Sequence, residues 1–258
     1  MKDFNKITAK DNPLIKLVCA LQSSSKSRRE NCLFVLEGLR ICLDALDNSI
    51  AFDKLIVSET FFNKHSDSVN TLSQNSNLNY LIPDSLFVKI SDTDSPQGVI
   101  ALVKIPKENK TVCANGRYVA LENIQDPSNL GAISRTAEAL GISGIVLKSG
   151  CDPFSPKSLR ASMGTLLRLP LYFTDDLSEF VNEYNLRSFA CVVDSSAENI
   201  SNINFLDGDI LIIGNEANGI TEETANNSYK KITIPMRGSA ESLNAAAAAA
   251  IAMWELQK

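Results

Sequence analysis

The stretch ILIIGNEANGI, residues 210–220, decides how the fold of this chain is interpreted. Its four leading apolar residues predict a buried β-strand, and a loop that contains Gly214 and Gly219 follows directly. In sheets whose strands alternate with helices, ligands bind beyond the carboxyl ends of the strands. The polar loop 214–220 is therefore placed where a ligand is expected.

The glycine spacing in this loop leaves two other interpretations to weigh. Gly214 and Gly219 match the first positions of a phosphate-binding G-x-x-x-x-G-K loop, but Ile220 stands where that loop requires lysine. Glu216 would also repel phosphates. A nucleotide hydrolase is therefore disfavoured, while an ordinary strand-to-helix turn stays open from spacing alone.

The segments around this loop predict an α/β fold. Strands and helices alternate in the second half, which indicates a mostly parallel sheet. Strands are expected at 118–121, 144–147, 169–173, 188–193, 210–213 and 231–234, and helices at 129–140, 155–163 and 241–256. In the first half, strands are expected at 33–36, 55–58 and 99–103, a helix at 39–46, a mobile basic segment at 23–30 and a loop at 65–79. We expect domains at 1–105 and 117–258, joined by a linker at 106–116.

Two further polar clusters occur in the second half. The first is NIQDPSNLGAISR, residues 123–135, in which Asn129 is expected to cap a helix that carries Arg135. The other is PMRGSAESLN, residues 235–244, which offers Ser242 and Asn244 at the start of an alanine-rich helix. Taken singly, each cluster is also compatible with an ordinary capped helix.

Composition excludes several classes of site. The chain has 258 residues, a net charge of −5 and only one histidine, His65, which lies outside the three clusters. Its six cysteines are scattered without a C-x-x-C pair, so we predict no metal and no Ser-His-Asp or Cys-His catalysis. Residues 1–10 lack the apolar core of a signal peptide, and the apolar stretch 243–254 is too short to cross a membrane. A cytoplasmic protein without membrane contact is expected.

Taken in order, the three clusters resemble the signature motifs of the SpoU (TrmH) class of the SPOUT superfamily of RNA methyltransferases. The residues that carry this resemblance are Asn123, Asp126, Pro127, Asn129, Gly131, Arg135, Thr136, Ala137 and Gly141, then Gly214, Asn215, Glu216, Asn218, Gly219 and Ile220, then Ile234, Pro235, Met236, Gly238, Ser239, Ser242, Leu243 and Asn244. In the first half, residues 34–38 and 96–99 resemble the substrate-binding domain of ribosomal-protein L30e type that often precedes this catalytic domain.

The resemblance implies a function and an architecture. It implies S-adenosylmethionine as the methyl donor and a ribose 2′-hydroxyl as the acceptor, with ribosomal RNA favoured over transfer RNA because of the L30e-like domain. It also implies a deep trefoil knot, which is a rare topology, and a homodimer to which the alanine-rich helix 244–252 contributes. A transfer RNA methyltransferase and a non-catalytic RNA-binding protein on the same scaffold stay open as alternatives.

The resemblance also assigns roles to residues. Arg135 is expected to stabilise the developing oxyanion as a cation, because arginine stays protonated in proteins. The residues expected to position the ribose and Arg135 are Asn129, Glu216, Ser242 and Asn244, and those expected to contact the cofactor are Gly214, Asn215, Ile234, Met236 and Leu243. Residues 1–40 carry eight basic groups against four acidic ones, and RNA phosphates are expected to contact Lys26, Arg28, Arg29 and Arg40.

Overall fold

A computed structural model describes residues 2–106 and 111–258 of the chain. These residues form two compact units. The first contains the described residues up to 106 together with Phe154–Arg160, and the second contains residues 111–153 and 161–258. The short segment Phe154–Arg160 thus packs with the first unit, although it is distant from it in sequence.

The first unit is a mixed five-stranded sheet with helices. Its order is β1-β4-β3-β5-β2, in which β1, β4 and β3 are parallel and β5 is antiparallel to both of its neighbours. Its elements are β1 (Asn5–Lys6), α1 (Pro13–Ser23), α2 (Ser25–Asn31), β2 (Leu33–Glu37), α3 (Leu39–Asp47), β3 (Phe52–Ser58), α4 (Glu59–Lys64), α5 (Ser66–Gln74), β4 (Ser76–Ile82), α6 (Asp84–Ile90) and β5 (Val99–Lys104).

Two segments of the first unit are more regular than the sequence predicts. Residues 65–79, expected as a loop, contain α5 and the start of β4, because Val69 and Leu72 are completely buried on one face of the helix. Residues 23–30, expected to be mobile, contain most of α2, which Ser24 caps by accepting a hydrogen bond from the Ser27 backbone N–H. Serine-rich and asparagine-rich composition misled both predictions, since burial outweighs weak helix propensity.

Arg28, which was predicted to contact RNA, has structural partners within the first unit. The Arg28 side chain is buried, and its guanidinium donates hydrogen bonds to the backbone carbonyls of Leu21 and Gln22 at the end of α1. A guanidinium that satisfies helix-end carbonyls holds α1 and α2 together. The buried position favours this structural role for Arg28, and its predicted contact with RNA stays a prediction.

The second unit is a seven-stranded sheet in which every pair of neighbouring strands is parallel. This confirms the predicted mostly parallel α/β fold, with the order β10-β12-β9-β11-β6-β7-β8. Its elements are β6 (Tyr118–Glu122), α7 (Pro127–Ala139), β7 (Gly144–Lys148), α8 (Pro156–Ser162, shared with the first unit), α9 (Thr165–Arg168), β8 (Leu171–Phe173), α10 (Leu177–Glu183), β9 (Arg187–Cys191), β10 (Glu198–Asn199), a 3-10 turn (Ile200–Asn202), β11 (Asp209–Ile213), α11 (Glu222–Asn227), β12 (Lys230–Thr233) and α12 (Ala245–Leu256).

Two helix starts differ from the predictions, and both differences concern the polar clusters. Asp126, not Asn129, caps α7, because its Oδ1 accepts a hydrogen bond of 2.8 Å from the Ser128 backbone N–H. Asn129 therefore lies inside the first turn, with its side chain free for other contacts. Helix α12 begins at Ala245 rather than 241, with Asn244 as its cap. Residues 236–243 are consequently irregular.

Helix α12 packs against α7 and β11 through small side chains. Ala249 and Ala252 are completely buried, whereas Ile251 and Trp254 on the same helix are exposed. Alanine lets helix axes approach closely, so α12 holds Asn244 near α7. In the described ranges, no helix combines the length and the apolar character needed to cross a bilayer.

Arg28 and Arg29 provide a matched pair that tests the structural role of Arg28. Arg28→Met should lower the free energy of unfolding by about 2 kcal/mol, because two carbonyls lose a charged donor. Arg29→Met, at an exposed position of the same helix, should change it by no more than about 0.5 kcal/mol. Urea denaturation followed by circular dichroism measures both values. Equal stabilities of the two variants would contradict the assignment.

Candidate functional site

Two of the three polar clusters of the second unit follow strands that lie side by side. Strand β11 is parallel to β6, with Ile213 paired to Leu121 near their carboxyl ends. The segment 123–126 and the loop 214–220 therefore leave the same edge of the sheet. Since α12 packs on α7, the third cluster also reaches this edge.

One residue from each cluster joins a chain of hydrogen bonds at this edge. The Asn129 side-chain Nδ2 donates to Glu216 Oε1 at 2.6 Å, and the Asn244 Nδ2 donates to Asn129 Oδ1 at 3.1 Å. Asn129 is buried, with 6% of its surface exposed. The structure thus brings together three of the five residues that the sequence assigned to catalysis.

The ionisation state of Glu216 fixes the direction of this chain. Partial burial raises the pKa of Glu216, but hydrogen bonds from Asn129 and from the Gln125 and Asp126 backbone outweigh burial and leave the pKa below its usual value. Glu216 is therefore a carboxylate at neutral pH and can only accept hydrogen bonds. Asn129 must present its amide N–H to Glu216, and its carbonyl oxygen is then left for Asn244.

The loop 214–220 is held by its own backbone. Asn215 and Gly219 exchange backbone hydrogen bonds of 3.1 Å in both directions, and Asn215 Oδ1 accepts from the backbone N–H groups of Ala217 and Asn218. A Cβ at Gly214 would lie 2.0 Å from the Gly219 carbonyl carbon, so only glycine fits there. The side-chain Nδ2 of Asn215 has no partner among the described residues. The predicted contact of Asn215 with a cofactor would therefore use this N–H group.

The buried carboxylate of Glu122, which the sequence analysis did not identify, is hydrogen-bonded to the end of this loop. Glu122, at the end of β6, is 3% exposed and accepts hydrogen bonds from the Thr221 backbone N–H at 2.9 Å, the Thr224 hydroxyl at 2.7 Å and Lys148 Nζ at 2.9 Å. Burial raises the pKa of Glu122, but these donors outweigh it and lower the pKa below its ordinary value of 4.5. The network fixes Thr221, the residue next to Ile220. The only sequence signal for the role of Glu122 was its position as a charged residue at the end of an apolar strand.

Most of the third cluster, unlike the other two, lacks internal hydrogen bonds. Residues 236–243 make no hydrogen bond to any described residue, through backbone or side chain. Met236 and Leu243, at the two ends of this segment, are 37% and 39% exposed. Free backbone donors and acceptors between two apolar side chains suit a flat heterocycle such as adenine, which stacks on apolar surface and bonds through its edge.

Two predicted catalytic residues are not part of the hydrogen-bonded chain. Arg135 is exposed on α7, and Ser242 is exposed before α12. Neither side chain forms a hydrogen bond or ion pair with another residue in 2–106 or 111–258. Their predicted contacts with RNA and with each other therefore stay predictions.

Of the four residues in the first unit that are predicted to contact RNA, three are exposed and one is buried. Lys26, Arg29 and Arg40 are exposed, and the Lys26 side chain forms a 3.8 Å ion pair with Glu30 on the same helix. Such an exposed pair contributes little and is easily exchanged for a phosphate. Arg28 is buried, so it is the least accessible of the four predicted RNA contacts.

Comparison with known proteins agrees with this geometry. A family model described as the SpoU rRNA Methylase family matches residues 116–254, which include all three clusters. The chain belongs to the SpoU rRNA methylase family. The resemblance predicted from the motifs is thereby confirmed. A second model, described as an MRM3-like substrate binding domain, matches residues 12–101.

Relatives of this SpoU family member are similar over nearly the whole chain. An uncharacterized tRNA/rRNA methyltransferase of Synechocystis is 29% identical over 99% of this chain and 94% of its own length. The 23S rRNA (guanosine(2553)-2′-O)-methyltransferase RlmP of Bacillus subtilis is 29% identical over 91% of this chain and 92% of its own. The crystal structure of an AdoMet-bound rRNA methyltransferase from Sinorhizobium meliloti has 28% identity and a TM-score of 0.84, covering 98% of this chain and 97% of its own.

The Glu122 network predicts a pH-dependent contribution to stability. Because the folded-state pKa is lowered, the ionised carboxylate stabilises the fold above its ordinary pKa of 4.5, and this stabilisation is lost as the pH falls through the folded-state value. Glu122→Gln should lower the free energy of unfolding by about 2 kcal/mol at neutral pH. The difference from the wild type should shrink below pH 4.5.

Urea denaturation at several pH values between about 7 and 3 measures this effect. Glu223→Gln, at an exposed position in α11, is the control and should change stability little at any pH. A constant difference between Glu122→Gln and the wild type over this range would show that ionisation of Glu122 is not the cause.

Proposed function

We propose that this protein transfers a methyl group from S-adenosylmethionine to a ribose 2′-hydroxyl of ribosomal RNA. The observation that carries the proposal is the chain Asn244–Asn129–Glu216, which links one residue of each family motif at one edge of the sheet. The relative in Bacillus subtilis is named a 23S rRNA 2′-O-methyltransferase. Transfer RNA is the second candidate substrate, because the Synechocystis relative carries both RNAs in its name.

The residues proposed to hold the cofactor are Gly214, Ile234, Met236 and Leu243, with the unpaired backbone of 236–243 against the adenine. When bound, S-adenosylmethionine supplies a methyl carbon that is activated by a positively charged sulfur. The tight Gly214 turn lets backbone approach the ligand without a side chain between them. Leu243 and Met236 cover its apolar faces.

Arg135 is proposed to activate the nucleophile. A ribose hydroxyl is a weak acid, so its developing negative charge must be stabilised as the oxygen–carbon bond forms and the proton leaves to an RNA phosphate or to solvent. The Arg135 guanidinium stays protonated and has no partner among the described residues, so its donors are available to that oxygen. It acts by electrostatic stabilisation rather than as a base.

Glu216, Asn129 and Asn244 are proposed to position the ribose. Their mutual hydrogen bonds lock each rotamer before substrate binds, which reduces the entropy lost on binding. Ser242 lies two residues before Asn244, and we propose that its exposed hydroxyl contacts the ribose. Preorganised polar groups of this kind are the main source of catalysis when no acid–base pair is present.

The same proposal includes the architecture expected of a SPOUT enzyme. We propose a deep trefoil knot in the C-terminal segments and a homodimer that uses the exposed Ile251 and Trp254 of α12. The proposed domains are 1–105, of L30e type, and 117–258, with the linker 106–116; residues 107–110 of that linker lie outside the described residues. A cytoplasmic location is part of the same proposal.

Transfer of a labelled methyl group tests the function directly. The protein, labelled S-adenosylmethionine and either ribosomal or transfer RNA transcripts are incubated, and ribose methylation is mapped in the product. Label in ribosomal RNA alone is the expected result. Label in transfer RNA alone would replace the proposed substrate with the second candidate, and RNA binding without label in either would leave a non-catalytic RNA-binding protein.

Arg135 is expected to be essential for transfer but not for cofactor binding. Arg135→Ala should lower the transfer rate at least about a hundredfold, since one lost oxyanion donor costs that much. Calorimetry should show unchanged affinity for S-adenosylmethionine, and Arg135→Lys should recover part of the rate. Wild-type turnover in Arg135→Ala would overturn the assignment.

Lys26 and Arg29 are expected to act through phosphates. Each removed contact should lower the slope of log affinity against log salt by about 0.7–0.9, and the double variant Lys26→Ala/Arg29→Ala should show about twice that change. Lys258→Ala, at an exposed position, serves as the control and should leave the slope unchanged. An affinity that is independent of salt in the wild type would contradict the phosphate contacts.

A further inference from the structure

A cavity of about 660 Å³ lies within the first unit, in the part of the chain that matches a substrate-binding domain. Its volume falls in the range of about 300–1,000 Å³ that is usual for small-ligand sites. It is lined by Leu39, Arg40, Leu43, Asp44, Asp47, Phe61, His65 and Gln97. A single nucleotide fits such a volume, whereas a duplex does not.

One of the two sequence segments that resemble an L30e-type domain, 96–99, contributes Gln97 to the wall of this cavity. Gln97 Oε1 accepts a hydrogen bond of 2.7 Å from the Leu39 backbone N–H, which fixes Gln97 at the start of α3. A Cβ at Gly98, whose φ is +92°, would lie 2.8 Å from the Phe61 Cβ, so glycine is required for this approach. The wall is therefore preformed.

A pair of aromatic rings that are tilted against each other forms another part of the lining. The His65 and Phe61 ring centroids are 4.8 Å apart with an interplanar angle of 31°. Phe61 is buried and His65 is exposed, so one face of the imidazole is supported from below and the other is open. A supported aromatic face is the platform on which unpaired bases stack in RNA-binding proteins.

The charges in the lining select a base rather than a phosphate. Asp44 and Asp47 place two carboxylates around one cation, Arg40, so the lining repels an anion overall. Asp47 ends α3, is exposed, and forms no side-chain hydrogen bond or ion pair with the residues that the structure describes. A carboxylate accepts hydrogen bonds only, so it favours a ligand edge made of adjacent donors.

We propose that this cavity binds an unpaired guanine of the substrate RNA, an inference that rests on the proposed RNA methyltransferase function. The guanine stacks on His65, its adjacent N1–H and N2–H donors face Asp47, and Arg40 contacts a flanking phosphate. Uracil presents one donor between two carbonyl oxygens, which a carboxylate repels. The cavity thus contributes base selection through the first unit, whereas the residues proposed to transfer the methyl group belong to the second unit.

Binding of short RNAs to the full-length protein tests the proposal. Heptamers of sequence UUUGUUU, UUUCUUU, UUUAUUU and UUUUUUU are compared by fluorescence anisotropy at fixed salt. The guanine heptamer should bind the wild type about tenfold more tightly than the uracil heptamer. Asp47→Asn should remove this preference, and His65→Ala should weaken binding of all heptamers about tenfold.

Controls separate the base contact from charge and from folding. Asp67→Asn, an exposed carboxylate on α5 outside the cavity, should retain the guanine preference. Arg40→Ala should weaken all heptamers alike and lower their salt dependence. Equal affinity of the wild type for all heptamers, or a preference retained in Asp47→Asn, would overturn the proposal. Free guanosine monophosphate binding as tightly as the guanine heptamer would show a nucleotide site instead of an RNA site.

Methyl transfer distinguishes failure of this inference from failure of the proposed function. If transfer to RNA is observed, Asp47→Asn should raise KM and leave kcat unchanged, because the cavity takes no part in the chemistry. If the enzyme is active and Asp47→Asn has no effect on KM, only the proposed guanine binding in the cavity is contradicted. If guanine is preferred but no methyl transfer occurs, the proposed methyltransferase function is contradicted and the proposed guanine binding is not.

Discussion

The hydrogen bond from Asn129 to Glu216 is the contact on which the arrangement of the site depends. It joins the first turn of α7 to the loop after β11, and Asn244 extends it to the cap of α12. Because Glu216 is ionised, the bond has one direction only, and each amide is oriented by the one before it. Three segments that are distant in sequence thereby hold one geometry before any ligand binds.

Backbone constraints keep this contact in place. The exchange of hydrogen bonds between Asn215 and Gly219, together with the absence of a side chain at Gly214, closes the loop that carries Glu216. Glu122 holds the far end of the same loop through Thr221. A buried carboxylate with several donors is costly to replace, which suits an element that must not move during catalysis. The open segment 236–243 contrasts with this rigidity and is where cofactor contact is proposed.

The first unit shows that charge alone does not identify a binding residue. Arg28 and Arg29 are neighbours in a basic segment, yet Arg28 satisfies carbonyls of α1 and only Arg29 faces solvent. In the cavity beside α3, two carboxylates outnumber Arg40, and this balance favours a base edge over a phosphate. Base selection is thus assigned to the carboxylate side of the cavity, and contacts with the RNA backbone to Arg40 at the cavity and to Lys26 and Arg29 on α2.

The sequence by itself determined the parallel α/β fold, the family and the three clusters, because apolar runs and ordered motifs are local signals. It did not determine which side chains act together. The sequence predicted Asn129 as a helix cap, whereas in the structure Asp126 is the cap and Asn129 bonds to Glu216. Burial of Arg28 and Glu122, and helix α5 in a stretch poor in apolar residues, were decided by packing between segments far apart in the chain. Local pattern fixes where strands and helices form, whereas contacts across the sheet decide which polar groups meet.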